Sequence, residues 1–123
     1  MLPERVSEYT TLAVINFDEN HNARYGFYRS ADGAIDAARA IAALPDQLEL
    51  YQIGGFCPIK PAEAEQWQQV VHAAIAKGAT ISMDPNVRPS LIDDFEGYKA
   101  RLSSFLDLAH VVKVSEEDLE ALD

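Results

Sequence analysis

The sequence predicts an α/β fold, a parallel sheet joined by crossover helices, with a β-hairpin ahead of it. Three observations predict it. Short apolar runs at 48–53, 79–83 and 110–114 alternate with longer stretches of helical period. Each run stops at turn-forming or helix-capping sequence: Gly54-Gly55, Asp84-Pro85-Asn86 and Ser115-Glu116. The segment 10–28 instead shows two extended runs about a polar turn, the pattern of a hairpin.

Taken in order, residues 10–17 are rich in β-branched and apolar side chains and read as a strand. Asp18-Glu19-Asn20-His21-Asn22 is turn chemistry, and 23–28 is the returning strand. Ser30 is expected to cap a helix running to about Leu44, with Ala31, Ile35, Ala38 and Ala42 on one face and Pro45 ending it. Pro61 suits the first turn of a second helix. Its buried stripe would be Trp67, Val70, Val71, Ala74 and Ile75, and Gly78 its left-handed terminator. A third helix begins near Asp94 and carries Phe95, Tyr98, Leu102, Phe105 and Leu106 on one side. Ser115 opens a last helical segment. The whole of 1–123 reads as a single partial α/β domain, with 10–29 a lid-like hairpin and 30–123 the α/β core.

Composition narrows the function classes. The 123 residues are 48% hydrophobic and 24% charged, the balance of a soluble globular protein. Twenty acidic residues against 10 basic ones give a net charge of −10, which disfavours nucleic acid and anionic membrane as partners. Cys57 is the only cysteine, so no internal disulfide can form and a cytoplasmic location is expected. No apolar run approaches the roughly 18 residues of a membrane span, and Met1-Leu2-Pro3-Glu4-Arg5 lacks the features of a signal peptide.

In a parallel sheet of this kind the ligand crevice lies outside the carboxyl ends of the strands. The segments 54–55, 84–88 and 115–118 are therefore expected on one edge. Asp84-Pro85-Asn86-Val87-Arg88 brings a carboxylate, an amide and a guanidinium together on a proline-stiffened turn. An acid and an amide suit a hydrated divalent cation, and an Arg fork suits phosphate or carboxylate; the plainer reading is a polar strand-to-helix loop. Ser115-Glu116-Glu117-Asp118 reads as a capping box with acids at the positive end of the helix dipole, or as water-mediated magnesium ligands. Alternation places Arg24 and Tyr28 on one side of the second hairpin strand, as in a lid or a solvated edge. His21, His72 and His110 are too scattered for a metal set, and Cys57 reads as a packed thiol. There is no Gly-rich phosphate loop of the G-x-x-x-x-G-K or G-x-G-x-x-G type.

The order and wording of these segments resemble the ribokinase-like, or pfkB, family of carbohydrate kinases, nearest its fructokinase and ketodeoxygluconate kinase branch. The matching pieces are Thr10-Thr11-Leu12-Ala13-Val14, Phe27-Tyr28-Arg29 with Ala31-Asp32, Gly54-Gly55, Asp84-Pro85-Asn86-Val87-Arg88-Pro89-Ser90-Leu91, and Val111-Val112-Lys113-Val114-Ser115-Glu116-Glu117-Asp118-Leu119. The resemblance is to the middle segment of such a kinase. It implies phosphoryl transfer from ATP, with Mg2+, to a hydroxyl of a keto sugar or sugar acid, so that the partners are a sugar and a nucleotide.

By the same resemblance Asn86 and Arg88 face the transferring phosphate, and Asn86 and Ser115 serve the nucleotide. Tyr28, Arg29, Arg24 and Asp84 meet the sugar. Asp118 and Glu117 hold magnesium through water. The family's Gly-Ala-Gly-Asp motif, with its catalytic base, does not occur in these residues. The resemblance thus leaves a kinase segment beside a non-catalytic remnant or interaction module of the same fold. A flavodoxin-like binding domain is a third reading. Unpaired sheet edges lead us to expect self-association.

Overall fold

The central strand organises the larger part of the molecule. In the computed structural model, which describes residues 6–21 and 23–123, the chain forms two compact units. One ends at Ile35 and the other runs from Asp36 to Asp123.

In the first unit β1 (Leu12–Phe17) pairs antiparallel with β2 (Ala23–Tyr28), in register from Leu12 opposite Tyr28 to Phe17 opposite Ala23. Asp18 builds the turn. Its carbonyl accepts from the His21 amide at 3.0 Å and its Oδ1 from the Asn20 amide at 3.0 Å, while His21 takes a left-handed φ of 62°. Asn22 of the expected turn lies outside the described residues. Two corrections apply here. The first strand begins at Leu12, because Thr11 is drawn into a side-chain network instead. The helix expected from Ser30 is interrupted. A short 3-10 turn, Ala31–Gly33, precedes α1 (Ala37–Ala42), whose cap is Asp36, its carboxylate accepting from the Arg39 amide at 3.0 Å. Glycine and a better-placed Asx cap override the alanine periodicity.

In the second unit β3 (Leu50–Gly54), β4 (Thr80–Asp84) and β5 (Val111–Val112) form a parallel sheet in the order β3-β4-β5. The expected α/β architecture is what the chain adopts. Between the strands run α2 (Pro61–Ala76) and α3 (Phe95–Leu106), and α4 (Glu116–Leu122) follows β5. Helix α2 ends as a Schellman motif. Gly78, at φ 87°, donates to the Ile75 carbonyl at 2.8 Å, and the Ala79 amide reaches the Ala74 carbonyl at 3.1 Å. Ile81 and Met83 of β4 are wholly buried, and around them pack Val71 and Ala74 of α2 and Tyr98, Leu102 and Phe105 of α3. Of the expected α2 stripe, Val70, Val71 and Ala74 are buried, while Trp67 and Ile75 pack half-buried against the core.

Strand β5 is shorter than the expected 110–114, although the His110 and Lys113 amides continue its bonding to the Ile81 and Met83 carbonyls at 2.8 and 2.9 Å. At its start the His110 Nδ1 accepts from the Ile81 amide at 3.0 Å, a ring nitrogen serving where the strand supplies no carbonyl. Leu50 on β3 and Val111, Val112 and Val114 at β5 are exposed on the two edge strands.

Tyr98 is completely buried, yet its hydroxyl has no hydrogen-bond partner among the described residues. Burial, reinforced by the Asp118 charge, pushes its ionisation up to about 12. Folding therefore protects the neutral phenol. That stability is complete below the unfolded value of about 10 and is lost as the pH climbs toward 12. Tyr98→Phe removes an unpaired hydroxyl from the core, so thermal melts at pH 7 should show it as stable as the parent or more so, by up to about 1 kcal/mol. Between pH 9 and 11 it should lose less stability than the parent. A clear loss at neutral pH would show that the hydroxyl is satisfied in solution.

Candidate functional site

The strand ends fix where the polar residues go. Gly54 of β3 stands beside Asp84 of β4 in the parallel register, and the chain of β5 leaves the sheet one strand further on. All three loops after the strands therefore open on one edge, and two close approaches join them. The first is between 54–55 and 84–86. A Cβ on Gly55 would lie 1.7 Å from the Pro85 carbonyl oxygen and 3.0 Å from that of Asn86. Only glycine lets the two backbones meet. The second joins 84–88 to α4, where the Val87 amide donates to the Asp118 Oδ1 at 2.6 Å.

Within 84–88, Pro85 and Val87 are buried and Asn86 between them is exposed, with a left-handed φ of 42°. Arg88 is half-buried, and its Nη1 donates to the Val87 carbonyl at 2.9 Å. Asp84 is paired through Oδ2 with the Lys113 Nζ at 3.1 Å, while its buried Oδ1 has no hydrogen-bond partner among the described residues. The structure thus brings together the expected Asp84, Asn86, Arg88, Ser115 and Asp118. It adds Lys113, whose place on the strand next to Asp84 is a matter of sheet order and not of sequence spacing.

Ser115 and Asp118 form the expected capping box, the Ser115 Oγ accepting from the Asp118 amide at 3.1 Å and the Asp118 Oδ2 from the Ser115 amide at 3.0 Å. Burial works to raise the Asp118 ionisation. It is outweighed by the Ser115 amide and hydroxyl, the Val87 amide and the Arg88 charge, so the carboxyl sits below its ordinary range. Glu116 and Glu117 are exposed beside it. Among the described residues no group of three or more His, Cys, Asp or Glu is placed to hold a metal ion. With both of its oxygens on amides, Asp118 does not fit the magnesium role that the resemblance gives it.

Sequence reasoning also missed Arg101. From α3 its Nε and Nη2 donate to the Pro58 and Ile59 carbonyls at 2.8 and 2.9 Å, clamping the loop that follows β3. An Arg on a helix face gives no sign in sequence of what lies opposite.

The remaining expected residues belong to the hairpin unit. Tyr28 is 68% exposed, and Arg24 pairs with Asp18 at 3.3 Å, largely in solvent. Arg29 is not displayed in the same way. Its side chain is 12% exposed and its Nε donates to the Asp32 Oδ2 at 2.5 Å. Asp32 also accepts from the Thr11 hydroxyl and, at 3.1 Å, from the Ser30 amide, while the Thr11 Oγ1 accepts from the Ser30 amide at 3.0 Å. These bonds close the base of the hairpin. Burial works to raise the Asp32 ionisation and is outweighed by the Thr11 and Arg29 bonds, the Arg29 charge and the Ser30 amide, so it stands below the usual value.

The chain resembles known sugar kinases along most of its length. It is 30% identical to fructokinase-1 of Oryza sativa over 115 residues, 92% of this chain and 36% of that protein. It is 31% identical to fructokinase-2 of Solanum lycopersicum over 116 residues, 92% and 35%. The fructokinase structure from Xylella fastidiosa superposes with a TM-score of 0.82 at 29% identity, covering 96% of this chain and 38% of that one. A ribokinase II structure from E. coli shares the fold, with a TM-score of 0.77. The chain thus spans about a third of the length of the curated relatives it matches. No family model matches it.

Two outcomes follow from this geometry. Gly55→Ala should cost about 2–3 kcal/mol in a thermal melt, because its Cβ meets backbone that cannot step aside, whereas Gly54→Ala, with nothing within 4 Å, should be far milder. Equal melting temperatures for the two would show that the loops do not touch in solution. Asp32→Asn should loosen the hairpin base at neutral pH, read as faster amide exchange at Ser30 and Asp32. The carboxylate's contribution is complete above its unfolded value of about 3.9 and is lost as the pH falls through the lower folded value. The difference from the parent should therefore shrink below about pH 4, and a difference independent of pH would refute the assignment.

Proposed function

The chain belongs with the fructokinase-like, pfkB-type carbohydrate kinases, and from that membership we propose that it serves ATP-dependent phosphoryl transfer to a hydroxyl of a keto sugar or sugar acid. The observation that carries this reading is the gathering of Asn86, Arg88, Lys113 and Asp84 where three loops meet at the strand carboxyl ends. One of the superposing fructokinase structures has bound ATP. In this chain the nucleotide would supply the transferable phosphoryl group. Such transfer needs positioning and charge neutralisation more than covalent participation.

Arg88 is assigned the role of neutralising charge on the transferred group, with Asn86 orienting it and Lys113 adding a second cation. Asp84 is assigned to the sugar, its carboxylate being an acceptor for a hydroxyl. The exposed Tyr28 and Arg24 give the hairpin its part as a lid-like element, and Arg29 acts by holding the hairpin base. Ser115 supports the nucleotide side through the α4 cap. No step here is routed through magnesium, and location in the cytoplasm and self-association through exposed edge valines complete the reading. A second reading is a non-catalytic module of the same fold.

The test is nucleotide binding by calorimetry beside ADP production over a panel of keto sugars and sugar acids. Sugar-dependent ADP production supports the kinase reading, nucleotide binding without turnover supports the module, and neither would sink both. In any active form, Arg88→Ala should lower kcat roughly 30- to 1,000-fold, the scale of losing one donor to developing charge. Arg88→Lys should recover only part of it, since a point charge does not reproduce the fork. Melting temperatures should stay near the parent's. Turnover lost only in step with unfolding would remove Arg88 from the chemistry.

A further inference from the structure

We propose that Asp118 is a positioning residue and not a metal ligand: its carboxylate fixes the loop 84–88 to the start of α4 by holding the Val87 amide. The proposal rests on the kinase reading for what the loop does. The bond itself stands on geometry alone.

Asp118 is 2% exposed and is the buried charged side chain among the described residues. Capping α4 requires only one of its oxygens, and Oδ2 does that work at the Ser115 amide. The other, Oδ1, is turned to Val87 at 2.6 Å, 31 positions earlier in the chain. A carboxylate so buried, with an amide on each oxygen, has no outward oxygen for the water shell that magnesium keeps. Its charge is met instead by those amides and by Arg88 nearby.

The bond falls at the point where the loop needs it. The Val87 N–H belongs to the peptide that follows Asn86, whose left-handed backbone is costly for a residue other than glycine and persists only where the surroundings impose it. Holding that N–H fixes the peptide plane on the carboxyl side of Asn86. On the other side Pro85 is buried, with its carbonyl against Gly55. Val87 itself is 4% exposed in the core. Asn86 and Arg88 therefore extend from either side of a peptide anchored at both ends, and the anchor nearer the phosphate-facing groups is Asp118.

NMR on the full 123-residue chain tests this without nucleotide. In the parent protein a scalar coupling across the hydrogen bond should connect the Val87 amide nitrogen to the Asp118 side-chain carboxyl carbon. Its absence would overturn the proposal, whatever any variant does. Asp118→Asn should speed Val87 amide exchange roughly 10- to 100-fold, the scale of one charge-assisted hydrogen bond, while the Met83 and Phe105 amides stay protected. Ser115→Ala removes the cap hydroxyl but not the Val87 bond, so Val87 should remain slow. Equal acceleration in both variants would show that Asp118 acts only as a cap. Mn2+ alone, titrated as a paramagnetic substitute for magnesium, should give no saturable broadening at 115–119 that depends on Asp118; broadening abolished by Asp118→Asn would restore the metal assignment.

Nucleotide titration then separates the two readings. Binding weakened in Asp118→Asn in step with the deprotection of Val87 supports positioning. Binding unchanged in Asp118→Asn with Val87 deprotected overturns positioning and leaves the kinase reading standing. No binding by the parent chain removes the kinase reading, and the positioning of a phosphate-facing loop with it.

Discussion

The arrangement at the strand ends depends on one steric constraint, the contact of the Gly55 backbone with the Pro85 carbonyl. Parallel strands lie at a fixed spacing, but the loops that leave them need not touch. Here β3 is followed by Gly55, a residue without a side chain, and β4 by Pro85, a residue without an amide hydrogen. The two turns can therefore close on each other with no side chain between them and no donor buried at Pro85. Once they have closed, the direction in which 84–88 leaves the sheet is set. The same contact explains why Arg101 matters at a distance. By holding the Pro58 and Ile59 carbonyls, it fixes the far end of the loop that carries Gly55.

Much of the fold was legible because its signals are local. The hairpin, the α2 stripe, the Gly78 terminator, the start of α3 near Asp94 and the Ser115-Asp118 capping box each depend on residues a few positions apart. The misreadings have local causes too. Alanines at helical spacing after Ser30 promised one helix, but Gly33 and the stronger cap at Asp36 divided it. Thr11 has the β-branched side chain of a strand residue, yet its hydroxyl is engaged with Asp32 and the Ser30 amide, and the ladder begins after it. Competition of side-chain hydroxyls for backbone donors is a known reason for elements to start late.

The candidate site was half legible. That 54–55, 84–88 and 115–118 share one edge follows from alternation of strands and helices, and the structure agrees. What alternation cannot supply is the partner of each group. Asp118 in sequence is the fourth residue of a capping box, and nothing in that pattern shows that its second oxygen reaches Val87. Lys113 in sequence follows two valines, and only the β4–β5 register places it across from Asp84. The resemblance sets Arg29 beside Tyr28 at the sugar, but Arg29 lies one residue beyond the end of β2, where strand alternation no longer fixes the direction of a side chain. Tyr28 is in solvent, whereas Arg29 closes onto Asp32.

These pairings also bear on how a chain of net charge −10 could meet a phosphate at all. A surplus of carboxylates repels a polyanion unless the acids nearest the crevice are already spent. At these strand ends they are. Asp84 is paired with Lys113, and Asp118 is enclosed by two amides with the Arg88 charge near it. The acids left to solvent, Glu116 and Glu117, lie in the first turn of α4, where the exposed amides of the helix start compensate them. What the crevice presents is thus set by its pairs more than by the composition of the chain. Two cations stand beside acids whose charges are already countered, a local balance compatible with an anionic ligand on an acidic protein.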